Sequence, residues 1–403
     1  MSWERKRLED VADFTLGKML DQKKNKGEPL PYLANVNVRW GSFDLDDLRQ
    51  MRFEPHEAER FGLKYGDIVM CEGGEPGRCA IWKDYQPRMM IQKALHRIRS
   101  RDGLDNRFLF YIFLHKGKTG GFLPLFTGST IKHLPKEKLA KVEVDIPPLS
   151  TQKRIASVLS VYDDLIENNR RRIRLLEQAA RLLYKEWFVH LRFPGHEHVK
   201  IKACPGHRSG DGVPEGWGRK VLGDLCEEVR ESVSPDSLEP GTPYIGLEHM
   251  PRKSISLNEW GEAEEVTSSK HRFREGEILF GKIRPYFHKV GIAFVDGVAS
   301  SDAIVIRPLT GDLRALVLMT VSSDRFVAVT AKTMKEGSKM PRADWKQMRQ
   351  FPVPVPPDGL LSAFNGTIEP IVQQLKSLSF ANRRLAAVRD LLLPRLMNGE
   401  IAV

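Results

Sequence analysis

The segment Gly281–Lys289 (GKIRPYFHK) interleaves Lys282, Arg284, His288 and Lys289 with Tyr286 and Phe287. Cations at this spacing can neutralise phosphates or grip guanine edges, and the rings can pack on a sugar or a thymine methyl. An ordinary solvated hairpin would have the same composition, so both readings stand. Arg39-Trp40, Gln92-Lys93, the run Ser129, Thr130, Ile131, Lys132, His133, and the stretch Lys335–Arg342 with Lys339 and Arg342 carry the same kinds of group. Gly128-Ser129-Thr130 ahead of Pro135-Lys136-Glu137-Lys138 also suits turn and capping chemistry. In the first half of the chain, the stretch corresponding to Gly281–Lys289 is Cys71–Arg78 (CEGGEPGR), which is acidic and Gly-rich. If both stretches read DNA, they read different sequences.

Other chemistries fit less well. Gly276-Glu-Ile-Leu-Phe-Gly281-Lys282 matches seven positions of a phosphate-binding loop, but Ile283 stands where a hydroxyl must hold magnesium. The residues between its glycines are apolar and strand-like, which favours a strand running into a basic loop. His196, His198, Cys204 and His207 are metal-ligand types lying close together, although His-x-His and Cys-x-x-His are not the spacings of a common zinc finger. Neither Pro147-Pro148 nor Pro356-Pro357 has the Asn or Asp before it, or the aromatic after it, that an amino-methyltransferase site requires. No carboxylate spacing singles out a nuclease. Catalysis by this chain is the weaker reading.

The 403 residues carry 63 Lys and Arg against 52 Asp and Glu, a net charge of +11, which favours an anionic partner with nucleic acid foremost. The apolar content of 41% excludes disorder as the default. The start MSWERKRLEDV lacks the apolar stretch of a signal peptide, and no run approaches the length of a membrane span, so a cytoplasmic location is expected. Cys71, Cys79, Cys204 and Cys226 form no Cys-x-x-Cys pair and are expected to be reduced and structural.

The elements that must position these residues are written twice. Trp3, Leu8 and Asp10 recur as Trp217, Leu222 and Asp224, and Pro31-Tyr32-Leu33 as Pro243-Tyr244-Ile245. Tyr65-Gly66-Asp67-Ile68-Val69 recurs as Glu275-Gly276-Glu277-Ile278-Leu279, Ile98-Arg99 as Ile306-Arg307, and Gly128-Ser129 as Gly337-Ser338. Common order at nearly constant offset signals a tandem duplication. Each copy ends in a Pro-Pro pair and a heptad-patterned segment holding Asn-Arg-Arg.

The first seam runs Ile155, Leu159, Tyr162, Ile166, Asn169, Ile173, Leu176, Ala180, Leu183, Trp187; the second runs Phe364, Ile368, Ile371, Leu375, Leu378, Asn382, Leu385, Arg389, Leu392, Leu396. Steps of four and three predict coiled-coil helices, the first about 60 Å long. Pro370 and Pro394 should kink or end the second. The seams can pair with each other, with partner proteins, or with both. An antiparallel pair would place Asn169 and Asn382 in shared layers, where they either fix register by hydrogen bonding or sit at a wet seam. Arg170, Arg171, Arg172 and Arg174 are a solvated helix face, or a hold on DNA backbone if DNA lies beside them.

The expected fold class is α+β: two tandem-repeated mixed α/β globular domains separated by two long antiparallel coiled-coil helices. The expected limits are 1–148 for the first globular domain (target recognition domain 1 if the resemblance set out next holds), 149–191 for the first helix, 192–218 for a linker, 219–357 for the second domain, and 358–403 for the second helix and tail.

Gly128–Phe188, with its Pro-Pro pair and long seam, the segment opening Phe193-Pro194-Gly195-His196-Glu197, the Pro214-Glu215-Gly216-Trp217 entry to the second copy and the closing Leu392–Ile401 (LLLPRLMNGEI) together resemble the specificity subunit of type I restriction-modification enzymes. The second helix departs from the first at its start, with Asp358-Gly359-Leu360 in place of Ser150-Thr151-Gln152. The resemblance implies a non-catalytic chain that reads a split site in double-stranded DNA, one domain per half, with the helices setting the gap. It also implies two modification subunits, carrying S-adenosylmethionine and methylating adenine, and motor-nuclease subunits using ATP and magnesium. No cofactor is expected in this chain. A duplicated coiled-coil scaffold for protein partners, a self-contained modifying enzyme, and a specificity subunit whose partners are lost are the alternatives.

Overall fold

A computed structural model describes residues 3–21, 25–202, 212–332 and 341–403. The chain forms two compact units, Met1–Glu167 with Arg383–Val403, and Asn168–Asn382. The division falls inside both long helices, Leu149–Tyr184 and Asp358–Met397, so each unit holds one globular module and a half of each helix.

In the first unit, a four-stranded antiparallel sheet has the order Ala12–Leu16, Leu95–Ser100, Ile68–Cys71, Cys79–Ile81. The run Ile68-Val69-Met70-Cys71 is apolar at every position because both faces are covered. Ile68 and Met70 face the helix Asn106–Lys118, while Val69 and Cys71 face a second core with Leu33, Phe53 and Trp82. That helix starts where Asp105 accepts hydrogen bonds from the Arg107 and Phe108 amides. In the second unit, Ile278–Gly281 lies between Ala303–Pro308 and Val290–Ala293 with the same two-faced burial, Ile278 and Phe280 on one side and Leu279 on the other. The segment that mimics a phosphate loop is therefore a sheet strand whose amides are committed to the ladder.

The duplication persists at the level of register. Tyr32 and Leu33 pair in parallel with Met90 and Ile91, as Tyr244 and Ile245 do with Val298 and Ala299. Gly66 turns with φ +88°, and Asp67 then grips Arg99 through two bonds of 2.7 Å while accepting the Lys64 amide. Gly276 turns with φ +85°, and Glu277 pairs with Arg307 while accepting the Arg274 amide. The recurring Gly-acid and Ile-Arg dipeptides are the two ends of an ion pair that each unit makes between a buried acid and a half-buried arginine.

Within the second unit the two helices run antiparallel: Asn169 donates to Asn382 at 3.0 Å, while Trp187 and Phe188 pack against Phe364, the first tilted and the second edge-to-face. Ile173, Ala180, Ile368, Leu375 and Leu378 are buried along this seam, with Leu176 partly so. In the first unit, Ile155 and Leu159 share a core with Leu393 and Leu396; Ile166 is buried and Leu385 half-buried. Neither proline ends the second helix, which continues through Pro370 and Pro394 to Met397. Pro370 and the carbonyl-bearing Gly366 are both exposed, so water can take the place of the lost amide.

Polar contacts tie each module to its helical half. In the first unit, Lys83 bridges Asp164 and Glu167, and Tyr111 donates to Asp163, which Arg389 also holds. Burial, then the Asp163 charge, pushes the Tyr111 phenol well above its ordinary value. In the second, one oxygen of buried Glu177 accepts from Ser254 Oγ, the Ile255 and Ser256 amides, and Ser256 Oγ. Among the described residues, no helix is long and apolar enough to cross a membrane.

Candidate nucleic-acid interface

The sequence-predicted loops of each module converge on the end of its central strand. In the first unit the strand ends at Cys71; the Glu72 amide then donates to the Ala94 carbonyl at 2.8 Å, and the Glu72 carbonyl accepts from the Leu134 amide at 2.7 Å. Gly73 bridges His133, and Asn35 donates to the Gly73 carbonyl. Thus the segments around 35–40, 72–78, 92–94 and 127–134 form one cluster.

The second unit repeats these bonds. The Lys282 amide donates to Asp302 O at 2.7 Å, Lys282 O accepts from the Ala343 amide at 2.9 Å, and Ile283 bridges Arg342. Glu72 therefore corresponds to Lys282, Gly73 to Ile283, Ala94 to Asp302 and His133 to Arg342. The main chain carries the framework, and the side chains on it differ at each of these positions.

In the second cluster, Arg284 is exposed at φ +49°, Tyr286 is exposed, and Phe287 lies beneath two guanidinium groups, Arg252 at 4.0 Å and Arg284 at 5.8 Å. Arg342 is exposed and paired with Asp302 at 3.2 Å. Lys282 is half-buried, its ammonium on the Ser301 carbonyl at 3.1 Å, and burial lowers its pKa. Lys289 donates to the Leu247 carbonyl and so holds the loop; burial lowers its pKa too. Lys339, with Gly337 and Ser338, lies outside the described residues.

In the first cluster, Ser129, Thr130 and Lys132 are exposed on a loop pinned by mutual bonds between Thr127 and His133. Arg39 is exposed but donates to the Val36 and Val38 carbonyls and meets Asp44 at 3.5 Å. Trp40 packs against Gly117, where a Cβ would come within 2.2 Å of the indole ring, so the helix needs glycine there. Arg78 pairs with Glu75 and donates to the Asn35 carbonyl at 2.9 Å, latching the hairpin. Lys93 lines a 350 Å³ cavity with Arg60, Asp21 and Glu57. Sequence reasoning missed Arg252, Lys253 and Asn35; the basic pair in Pro251-Arg252-Lys253 was the available signal.

His288 anchors the basic loop from beneath, its Nε2 on the Ser322 carbonyl at 2.8 Å. Burial holds its pKa below the ordinary 6.5, with Arg181 and Lys253 acting in the same direction and Ser322 and Asp324 against it. Below about pH 6.5 the unfolded chain binds a proton that the folded chain refuses, so stability of this unit falls on acidification, by at most about 1.4 kcal/mol per pH unit from this group. The variant His288→Gln is expected to flatten that slope in unfolding midpoints measured from pH 7 to pH 5.

Of the metal-type ligands noted in the sequence, Cys204 and His207 lie outside the described residues, and His196 Nδ1 lies 2.9 Å from the Phe193 carbonyl. Among the described residues, Glu54, His56 and Glu57 are the grouping with ligand geometry, and Glu57 is already bound to Lys18.

Residues 1–178 match the family described as Type I restriction modification DNA specificity domain. Over 417 aligned residues the chain is 21% identical to the type I restriction enzyme MjaIX specificity subunit of Methanocaldococcus jannaschii, covering all of this chain and 94% of that one. It is 24% identical to the EcoDI specificity subunit of Escherichia coli over 57% of this chain and 55% of that protein. The crystal structure of a type I restriction-modification S subunit from M. genitalium shares the fold, with a TM-score of 0.54 at 17% identity over 98% of this chain and 96% of that one. The first 178 residues thus match the type I restriction modification DNA specificity domain, and over its full length the chain is similar to a type I specificity subunit and shares its two-module, two-helix fold with a solved S subunit.

Proposed function

We propose that this chain reads a bipartite site in double-stranded DNA, one loop cluster per half-site through the major groove, with the paired helices setting the gap. It is non-catalytic and directs two modification subunits that methylate adenine with S-adenosylmethionine, and motor-endonuclease subunits that cleave at the expense of ATP with magnesium, all in the cytoplasm. The observation that carries this reading is the duplicated main-chain framework bearing two different sets of side chains, which suits two readers of unlike sequence.

The contacts with DNA are assigned to Arg39, Lys93, Ser129, Thr130 and Lys132 in the first cluster and to Lys282, Arg284, Tyr286, Arg342 and Lys339 in the second. Trp40, Arg78 and Lys289 shape the loops that present them. Since the helix seams are filled within each unit, partner subunits dock on outward apolar residues: Val158, Val161, Leu165 and Leu391 in the first unit, Leu175 and Leu182 in the second.

The test is co-expression with the neighbouring methyltransferase subunit and mapping of N6-methyladenine across host DNA. A single split motif, one half of which changes when either module is exchanged, supports the reading; a stable complex without methylation favours a protein scaffold. Replacing Arg284 with Ala should weaken binding by about 1–3 kcal/mol and relax one position in the half read by the second unit. Titration of duplexes across a salt series checks this: a uniform loss with the log–log salt slope reduced by about one would reassign Arg284 to phosphate.

A further inference from the structure

Glu72 and Lys282 occupy one position of the duplicated framework, each fixed by the same pair of main-chain bonds, yet they carry opposite charge. Neighbouring acids of the first unit are matched: Asp67 by Arg99, Glu75 by Arg78, Glu57 by Lys18. Glu72 is half-buried, and among the described residues its carboxylate has neither an ion pair nor a side-chain hydrogen bond. Such a group at the end of the central strand has no partner within hydrogen-bond reach among the described residues, its charge acting only through space on buried His96, and phosphates repel it. What satisfies it in a major groove is a hydrogen-bond donor, and the base-edge donors there are the amino groups of adenine N6 and cytosine N4; guanine O6 and thymine O4 present acceptors. Each base pair shows one amino group in that groove, on one strand or the other, so a fixed acceptor distinguishes an amino base from a keto base.

We propose, resting on the DNA-reading function above, that Glu72 determines specificity by accepting a hydrogen bond from the exocyclic amino group of an adenine or cytosine in the half-site of the first unit. Lys282, at the matching position, presents a donor instead, so the two halves are read there with opposite polarity.

The experiment uses the full chain co-expressed with its methyltransferase partner, comparing wild type, Glu72→Gln and Glu72→Lys by N6-methyladenine mapping and by thermal unfolding. Wild type should require an amino base at one position, and whether that base is adenine or cytosine identifies the donor. Glu72→Gln can donate as well as accept and should reduce the preference at that position about 10-fold or more. Glu72→Lys should shift it to guanine or thymine, with the other half-site unchanged. If both variants keep the wild-type motif and relative rates, the proposal falls while the function stands. If wild type yields no split motif, the function itself falls. If both variants melt lower and methylate nothing, Glu72 is a structural residue and the proposal is overturned.

Discussion

Replacing Glu177 with Ala is expected to destabilise the second unit by about 3–5 kcal/mol, the range for removing one member of a buried charged network. The carboxylate is buried within the first long helix, and a single oxygen receives two serine hydroxyls and two main-chain amides from residues 254–256. Alanine leaves those donors facing an apolar space. Because Ser256 begins the edge strand Ser256–Leu257, paired with Val290–Ala293, the damage should spread into the sheet that ends at the basic loop. Glu177→Gln retains a carbonyl acceptor and should lose only about 1–2 kcal/mol. Urea unfolding followed by tryptophan fluorescence would order wild type, Gln and Ala in that sequence; equal stability of all three would show that the network contributes nothing.

Phe364→Ala should cost about 3–5 kcal/mol as well, for a different reason. Phe364 is fully buried, with Phe188 at 4.9 Å and Trp187 at 5.6 Å, and Phe188 continues to Trp217 at 5.5 Å and Tyr184 at 5.1 Å. Tyr184 ends the regular first helix, and Trp187 and Phe188 lie on the π-helical turn Lys185–Val189 that follows. Truncation opens a cavity at the end of the helix pair that these rings cannot collapse into without leaving their mutual contacts, which are stacked, tilted and edge-to-face. Phe364→Leu, which keeps most of the volume, should cost about half as much or less. A drop in unfolding midpoint for Ala without a matching one for Leu identifies cavity formation rather than loss of aromatic contact.

The helices were legible because a buried seam leaves a period, and Ile155, Leu159, Ile173 and Leu375 could satisfy it in no other secondary structure. The duplication was legible where one local geometry demands particular residues, as Gly66 and Gly276 do ahead of their ion-paired acids. In the second sheet of the second unit, little beyond the strand Pro243–Ile245 left such a trace. Its strands Ser232–Val233, Gly261–Glu262 and Gly297–Ala299 span two or three residues each, too few to show alternation. Pro370 does not end the helix, and the Gly366 carbonyl it leaves unbonded lies on an exposed residue where water can take the place of the amide.

The loops themselves were the hardest to align, and the reason is physical. Glu72 and Lys282 share no side-chain property, since what fixes them is an amide donating to residue 94 or 302 and a carbonyl accepting from residue 134 or 343. Arg78 and Lys289 each donate to a main-chain carbonyl of their own unit, a latch that a one-letter code cannot tell from a cation facing outward.

That main-chain framework has an evolutionary consequence. A scaffold whose joints are peptide groups imposes little on the residues it displays, so mutations at the displayed positions can alter recognition with small effect on folding. New specificities are then reachable by single steps that stay above the stability threshold. Under the proposed function, duplication doubles the freedom, because one module can drift while the other preserves half of the old site.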